Sequence, residues 1–278
     1  MVVHGTRDRA EGTLAVEALM SGICATEAGM VTDDDRAVLR YATASNVGTL
    51  DDEFNRQAAY AGPHLLLIVD GMQHLSSPAS PSALAVQEFC RLDVPMDPSA
   101  LAVSLEGAVK SLQGIFQGFL AGYPLSEGTG VLLTAMLLQG THAAIAHIGS
   151  TRAYLLRGGE LTQLTRDHTI GQSLVEAGHI GPDELGADRR YVLPLRWLDG
   201  KLDEPADILI HEAAIGDRYV LCTDGISRVT SSGILRDILR EDASDPQEIA
   251  DEVAGMAFPV DRYRQFTCVV ADVVEAAH

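Results

Sequence analysis

The chain of 278 residues is long enough for one large domain or two small ones with a substantial core. Hydrophobic residues make up 46% and charged residues 21%, a globular composition that excludes disorder along the whole chain. Twenty Lys and Arg against 39 Asp and Glu give a net charge of −19, which would repel nucleic-acid backbones and anionic lipid. We therefore expect no nucleic-acid partner and no membrane partner.

Targeting and redox features are sparse. No apolar run approaches the roughly 20 residues of a membrane-spanning helix. The first nine residues mix charges of both signs and lack the apolar core of a signal peptide. The four cysteines form no CxxC pair and lack metal-site spacing: Cys24, Cys90, Cys222 and Cys268. These features predict a cytoplasmic protein.

Hydrophobic periodicity places the predicted strands and helices in blocks. The first 30 residues have a weak helical pattern. Apolar and alternating runs predict, in chain order, strands over 37–44, 64–70, 131–138, 143–148, 153–156, 208–212, 218–223 and 266–274. Helices are predicted over 82–92, 100–120, 169–177, 234–239 and 247–257. Consecutive strands do not fit a doubly wound sheet, so we expect an α+β fold of stacked antiparallel sheets in a single domain, 1–278.

Two predicted strands end in an Asp-Gly step, Asp70-Gly71 and Asp224-Gly225. A carboxylate at the end of a buried strand projects from the sheet edge, and the glycine lets the backbone turn sharply. Each step alone is explained as well by a simple turn. Together they are suited to a hard divalent cation with oxygen ligands.

Five segments in consistent order resemble a known family. They are 45–48 (SNVG), 67–72 (LIVDGM), 128–129 (GT), 148–168 (IGSTRAYLLRGGELTQLTRDH) and 215–226 (IGDRYVLCTDGI). This set is similar to the motifs of the bacterial metal-dependent protein phosphatases of type 2C, the PPM family, over residues 37–274. The resemblance implies a central antiparallel β-sandwich flanked by helices on both sides, a four-layer αββα fold. It also implies hydrolysis of phosphoserine and phosphothreonine esters at a site with two Mn²⁺ or Mg²⁺ ions.

The resemblance implies metal-binding roles for three retained residues. Asp70 stands where the family has the carboxylate that bridges both metals. Gly71 stands where a backbone carbonyl binds one metal, and Asp224 stands where another Asp holds the second. These residues are the predicted metal positions of this chain.

Other family positions have changed their charge. Arg56, Arg264 and Arg228 stand where the family has acidic residues, in the first motif, in the last motif and shortly after the second Asp-Gly step. Asp51 stands where the family has a phosphate-binding Arg, and Ser150 where an Asp reaches an additional metal. A guanidinium 4 Å from a cation's position repels it by about 4 kcal/mol at an effective dielectric near 20.

These inversions favour a site in which guanidinium groups replace the metals. Asp70 and Asp224 would pair with Arg56 and Arg264, because buried carboxylates need such partners. The chain is then expected to bind no cofactor. It would act as a pseudophosphatase that engages a protein partner, such as a phosphoprotein or a Ser/Thr kinase.

Two alternatives remain open at this point. A shift of the loops could bring Asp261 and the acidic residues 51–53 back into the site, giving an active Mn²⁺- or Mg²⁺-dependent phosphatase. A purely structural subunit that does not use the cleft has no specific feature in its favour. His74 near the cleft is a candidate general acid, because His titrates near neutrality, although a surface histidine beside a loop explains it equally well.

Overall fold

The computed structural model describes residues 37–46, 56–72, 80–122, 128–185, 187–201, 206–229, 232–240, 245–257 and 265–276. All of them belong to one compact unit, 34–278. The helical pattern predicted for the first 30 residues lies outside these ranges, so the single-domain assignment for 1–278 stays a prediction. No helix within the described ranges has the length and apolar character to cross a membrane.

Ten strands and six α-helices make up the described part of the unit. The strands are β1 Ala37–Asn46, β2 Gln57–Ala61, β3 Leu65–Met72, β4 Gly130–Gln139, β5 His142–Ile148, β6 Arg152–Arg157, β7 Glu160–Gln163, β8 Asp207–Glu212, β9 Arg218–Cys222 and β10 Phe266–Glu275. The helices are α1 Pro81–Phe89, α2 Leu101–Gly122, α3 Ile170–Glu176, α4 Asp224–Val229, α5 Ser232–Leu239 and α6 Pro246–Ala257.

The strands form two five-stranded antiparallel sheets. The first sheet has the order β1-β10-β9-β6-β7, and the second has the order β2-β3-β4-β5-β8. Side chains on their facing surfaces interdigitate in a buried core that includes Ile68, Met136, Tyr219, Leu221 and Val269. Because successive residues of a strand point to opposite faces, the residues next to these in each strand face the outer surfaces of the sandwich.

Helices cover the outer face of each sheet. On the second sheet, α1 and α2 bury Phe89, Leu105 and Phe116 against strand residues such as Leu67 and Leu133. On the first sheet, α4 packs against β9 and β10, α6 packs against β1 and β10, and α5 packs against β7 and α6. The four layers αββα confirm the predicted α+β class and the sandwich with helices on both sides.

The local signals in the sequence explain most element boundaries. Thr169 caps α3, since its side chain accepts a hydrogen bond from the backbone N–H of Gln172 at 3.3 Å. Three elements were not predicted: β2, β7 and α4. Each is short, and β2 carries five half-buried residues without alternation, so its hydrophobic pattern gives no signal. The second Asp-Gly step also differs from a simple turn, because Asp224 is the first residue of α4.

Candidate active site

A cavity of about 400 Å³ lies where β3 ends and α4 begins. Its charged and hydroxyl-bearing lining residues are Arg56, Asp70, Ser150 and Asp224. Its apolar lining residues are Met72, Leu132, Val192 and Pro194, and glycines 71 and 128 complete it. The structure therefore brings both Asp-Gly steps to one site, although they come from different sheets. Their role as metal ligands stays a prediction.

An amide side chain bridges the two sheets at this cavity. Gln57 lies directly opposite Asp70 in the β2–β3 pair, and its Nε2 donates to Oδ2 of Asp70 at 3.2 Å. Its Oε1 accepts from the hydroxyl of Thr223, the residue before Asp224, at 3.2 Å. One oxygen of Asp70 thus faces a neutral N–H donor, and the same amide ties the end of β3 to the end of β9.

A second glutamine fixes the backbone beside the cavity. Oε1 of Gln265 accepts hydrogen bonds from the backbone N–H groups of Arg56 and Gln57, each at 3.1 Å. Gln265 immediately precedes β10, so this contact joins the start of β10 to the start of β2. Sequence reasoning missed both glutamines, because an amide pair separated by about 200 positions leaves no local signal.

Arg56 lines the cavity with an exposed side chain. Its backbone carbonyl accepts from the N–H of Gly71 at 2.8 Å and from the hydroxyl of Ser82. Across the described ranges, no ion pair joins its guanidinium to Asp70 or Asp224. Asp70 and Asp224 each take part in a further interaction. The proposed replacement of a metal by Arg56 therefore stays a prediction.

The turn that carries Ser150 is held by a buried ion pair. Arg152 donates to both carboxylate oxygens of Asp167, at 2.8 and 2.7 Å, and to the hydroxyl of Tyr154 at 3.0 Å. Burial would lower the pKa of Arg152, but the hydrogen bonds and charge of Asp167 hold that pKa above its usual value. The sequence contained both residues, but nothing in their spacing marked them as partners.

Two neighbouring histidines, His147 and His168, lie behind the same turn. His147 is buried, with Nδ1 3.0 Å from the hydroxyl of Thr134 and Nε2 2.9 Å from the carbonyl oxygen of Arg166. Burial, followed by the charge of His168, lowers the pKa of His147 to about 3. The rings of His147 and His168 are 4.9 Å apart. His147 is therefore a neutral structural residue.

His168 connects the turn to β8. Its Nδ1 accepts from the N–H of Gly149 at 3.0 Å, and its Nε2 lies 3.0 Å from Oδ2 of Asp207. Burial lowers the pKa of His168, while its hydrogen bond to Asp207 acts in the opposite direction. Gly149 has φ of 104°, a conformation that favours glycine, so the turn before Ser150 depends on it.

The other candidate residues lie outside the described ranges. These are His74, Arg264, Asp261 and the acidic residues 51–53, and the side chain of Arg228 is likewise not described. Among the residues that are described, no three or more His, Cys, Asp or Glu side chains converge as a metal-ligand set. Two carboxylates and one glycine are fewer oxygen donors than two divalent cations require. The described residues do not by themselves form a two-metal centre.

The αββα sandwich is shared by solved structures of bacterial Ser/Thr phosphatases. The catalytic domain of PstP "in complex with 2 Manganese ions" aligns with a TM-score of 0.78 and 36% identity, over 86% of this chain and 99% of that one. The Mycobacterium tuberculosis Ser/Thr protein phosphatase PstP is 36% identical over 238 residues, which are 86% of this chain. The Listeria welshimeri Ser/Thr phosphatase Stp is 26% identical over 76% of this chain and 82% of its own length.

No family model matches the sequence. The chain spans about half of the M. tuberculosis relative, 46% of its length. The identity of 36% with the PstP catalytic domain, covered almost completely, nevertheless shows the family. The chain belongs to the bacterial type 2C, or PPM, family of Ser/Thr protein phosphatases.

Proposed function

We propose that this chain is a catalytically impaired type 2C protein, which acts as a protein-binding module in bacterial Ser/Thr phosphorylation signalling. Its partner would be a phosphoprotein or a Ser/Thr kinase. The observation that carries the proposal is the lining of the 400 Å³ cavity, where Arg56 and Ser150 stand at positions that are acidic in the family. Among the described lining residues, the cavity offers two carboxylates, where a pair of divalent cations needs more.

The contact between Gln57 and Asp70 supports the same conclusion. A carboxylate that bridges two cations needs lone pairs on both oxygens, and here Oδ2 of Asp70 accepts a hydrogen bond from an amide N–H. Gln57 is itself fixed by Thr223 and by Gln265. Binding of a cation at that oxygen would require this amide to move away.

Turnover is the direct test of catalytic impairment. The chain is assayed on para-nitrophenyl phosphate and on phosphoserine and phosphothreonine peptides, with Mn²⁺ or Mg²⁺ titrated in, beside the double variant Asp70→Asn/Asp224→Asn. We expect no metal-dependent turnover above the double variant. Metal-dependent turnover that the double variant lacks would contradict the proposal.

A gain-of-binding experiment tests the reason for the impairment. The double variant Arg56→Asp/Ser150→Asp removes the arginine and places two further carboxylates beside Asp70 and Asp224. Because a ligand that binds only the folded state raises its stability by mass action, Mn²⁺ should raise the Tm of this variant more than that of the parent chain. The exposed Arg236→Asp, with the same charge change as Arg56→Asp, should respond as the parent does. An equal response of all three proteins would contradict the explanation.

The second candidate is an active Mn²⁺- or Mg²⁺-dependent phosphatase. Two observations favour it. Asp70, Gly71 and Asp224 line one cavity in this chain. The similar catalytic domain of PstP has been solved "in complex with 2 Manganese ions". Under this alternative, Asp261 or an acidic residue of 51–53 supplies the missing carboxylates. The turnover assay separates the two candidates.

A further inference from the structure

A single histidine holds the turn that forms one wall of the cavity. Gly149 donates its backbone N–H to Nδ1 of His168 at 3.0 Å, and its carbonyl oxygen accepts from the N–H of His168 at 2.7 Å. Gly149 leads directly into Ser150, and a side chain added at Gly149 would collide with Leu132. Ser150 and Leu132 both line the cavity, so the position of this wall depends on His168.

The hydrogen bond from Gly149 fixes the tautomer of His168. A backbone N–H can only donate, so Nδ1 presents its lone pair and the proton of the neutral ring is on Nε2. Nε2 lies 3.0 Å from Oδ2 of Asp207, which accepts a hydrogen bond from it. The side chain of His168 is only 8% exposed, so water does not readily replace either contact.

We propose that His168 is a pH-sensitive switch of this cavity wall: the neutral ring holds the turn of Gly149 and Ser150, and uptake of a proton at Nδ1 releases it. A protonated Nδ1 is a donor that faces the N–H of Gly149, so two donors meet and their hydrogen bond is lost. The inference goes beyond the proposed function, because this contact exists whether the cavity turns a substrate over or only binds one.

The surroundings of His168 set the pH range of the switch. Burial has the largest influence and lowers the pKa of His168, the hydrogen bond to Asp207 raises it, and the charge of Arg196 lowers it. Nη1 of Arg196 lies 2.8 Å from Nε2 and donates to Oδ1 of Asp207 at 3.1 Å. The titratable and charged groups that face the ring or its partners are His147 on β5, Arg166, Asp167, Glu176 on α3, Arg196 and Asp207 on β8. Because the pKa is lowered from its ordinary value of 6.5, the turn is held at neutral pH and is released only in acid, below pH 6.5.

NMR of the full chain is the test, with ¹⁵N-labelled histidine and glycine and ¹³C-labelled leucine methyl groups. At neutral pH we expect His168 to carry its proton on Nε2 and none on Nδ1. As His168 takes up its second proton in acid, the amide of Gly149 should lose about tenfold or more of its protection from hydrogen exchange, as for one buried hydrogen bond. The methyl signals of Leu132 should shift with the same midpoint.

Matched variants separate the ring from other groups that titrate in acid. Asn is a replacement whose side-chain oxygen can still accept from Gly149 but does not ionise, so in His168→Asn the protection of Gly149 should not depend on pH. His168→Ala removes the acceptor, and Gly149 should then be weakly protected at every pH. His211→Asn removes another half-buried histidine, on β8, and should leave the pH dependence at Gly149 as in the parent chain.

Four results would overturn the inference. They are a proton on Nδ1 at neutral pH, a His168 that stays neutral until the chain unfolds in acid, signals of Gly149 and Leu132 that do not change while His168 titrates, and a pH-dependent loss of protection that persists in His168→Asn. The first three are measured on the parent chain, so they do not depend on the folding of a variant.

Discussion

Removing Arg152 should destabilise the fold far more than removing an equally paired arginine on the surface. Arg152 and Asp167 form a bidentate pair whose side chains are only 19% and 11% exposed. Arg152→Ala leaves the buried Asp167 carboxylate with one long contact, 3.4 Å from Nε2 of Gln163. Breaking a buried ion pair by deleting one partner costs about 3–5 kcal/mol. Because this pair retains some solvent contact, we expect about 3 kcal/mol here.

The matched control is Arg190→Ala. Arg190 also binds both oxygens of a carboxylate, that of Asp188, but its side chain is 78% exposed. Exposed ion pairs add little to stability, so Arg190→Ala should leave the Tm almost unchanged. For a domain of this size, about 3 kcal/mol corresponds to a Tm lower by about 6–12 °C.

Thermal unfolding followed by circular dichroism measures both variants. Equal Tm values for Arg152→Ala and Arg190→Ala would refute the reasoning, because burial would then make no difference to the two ion pairs. A loss of stability in Arg152→Ala would also change the support of Ser150, which lies two residues earlier in the same turn.

Two further predictions concern the core. His147 is neutral in the fold, with a pKa near 3, whereas the unfolded chain takes up this proton near pH 6.5. The free energy of unfolding should therefore fall as pH drops from 6.5 towards 3, by up to about 1.4 kcal/mol per pH unit. In His147→Gln, urea titrations should show a weaker dependence of the free energy of unfolding on pH. An unchanged pH dependence would contradict this. Phe116→Ala empties a buried site on α2 and should cost about 3 kcal/mol or more, whereas Val103→Ala, on the 68% exposed Val103, should cost under about 0.5 kcal/mol. Equal urea midpoints for these two variants would show that Phe116 is not packed as described.

The layers of the fold could be predicted from the sequence because the strands are strongly apolar. Runs such as β3 and β4 are buried along almost their whole length, so continuous hydrophobic stretches marked them. The short strand β2 could not be predicted, since its five residues are all half-buried and its place is set by pairing with β3. Edge strands of this kind depend on tertiary contacts rather than on their own pattern.

The part of the site that the family motifs contain could be predicted from the sequence. Asp70 and Asp224 were expected to share a site, and they line one cavity. The contacts of Gln57 with Asp70 and Thr223 could not be read from the sequence, because they depend on how two sheets meet. The pair of Asp70 with Arg56 was expected from the inverted charges at the family positions, and it stays a prediction; one contact of Asp70 that the structure does show is with the amide of Gln57.

The glutamine bridges also bear on the order in which the molecule assembles. Gln57 contacts Thr223 across 166 positions of the chain, and Gln265 contacts the backbone of Gln57 across 208. Contacts between such distant positions form only after a large loop has been closed, and that closure is slow and entropically costly. The second sheet can pair β3, β4 and β5 through nearby segments, but the hydrogen bonds that hold the backbone of Arg56 and Gln57 need Gln265, the residue just before β10. We therefore expect these contacts beside the cavity to form late in folding, together with the pairing of β10 between β1 and β9.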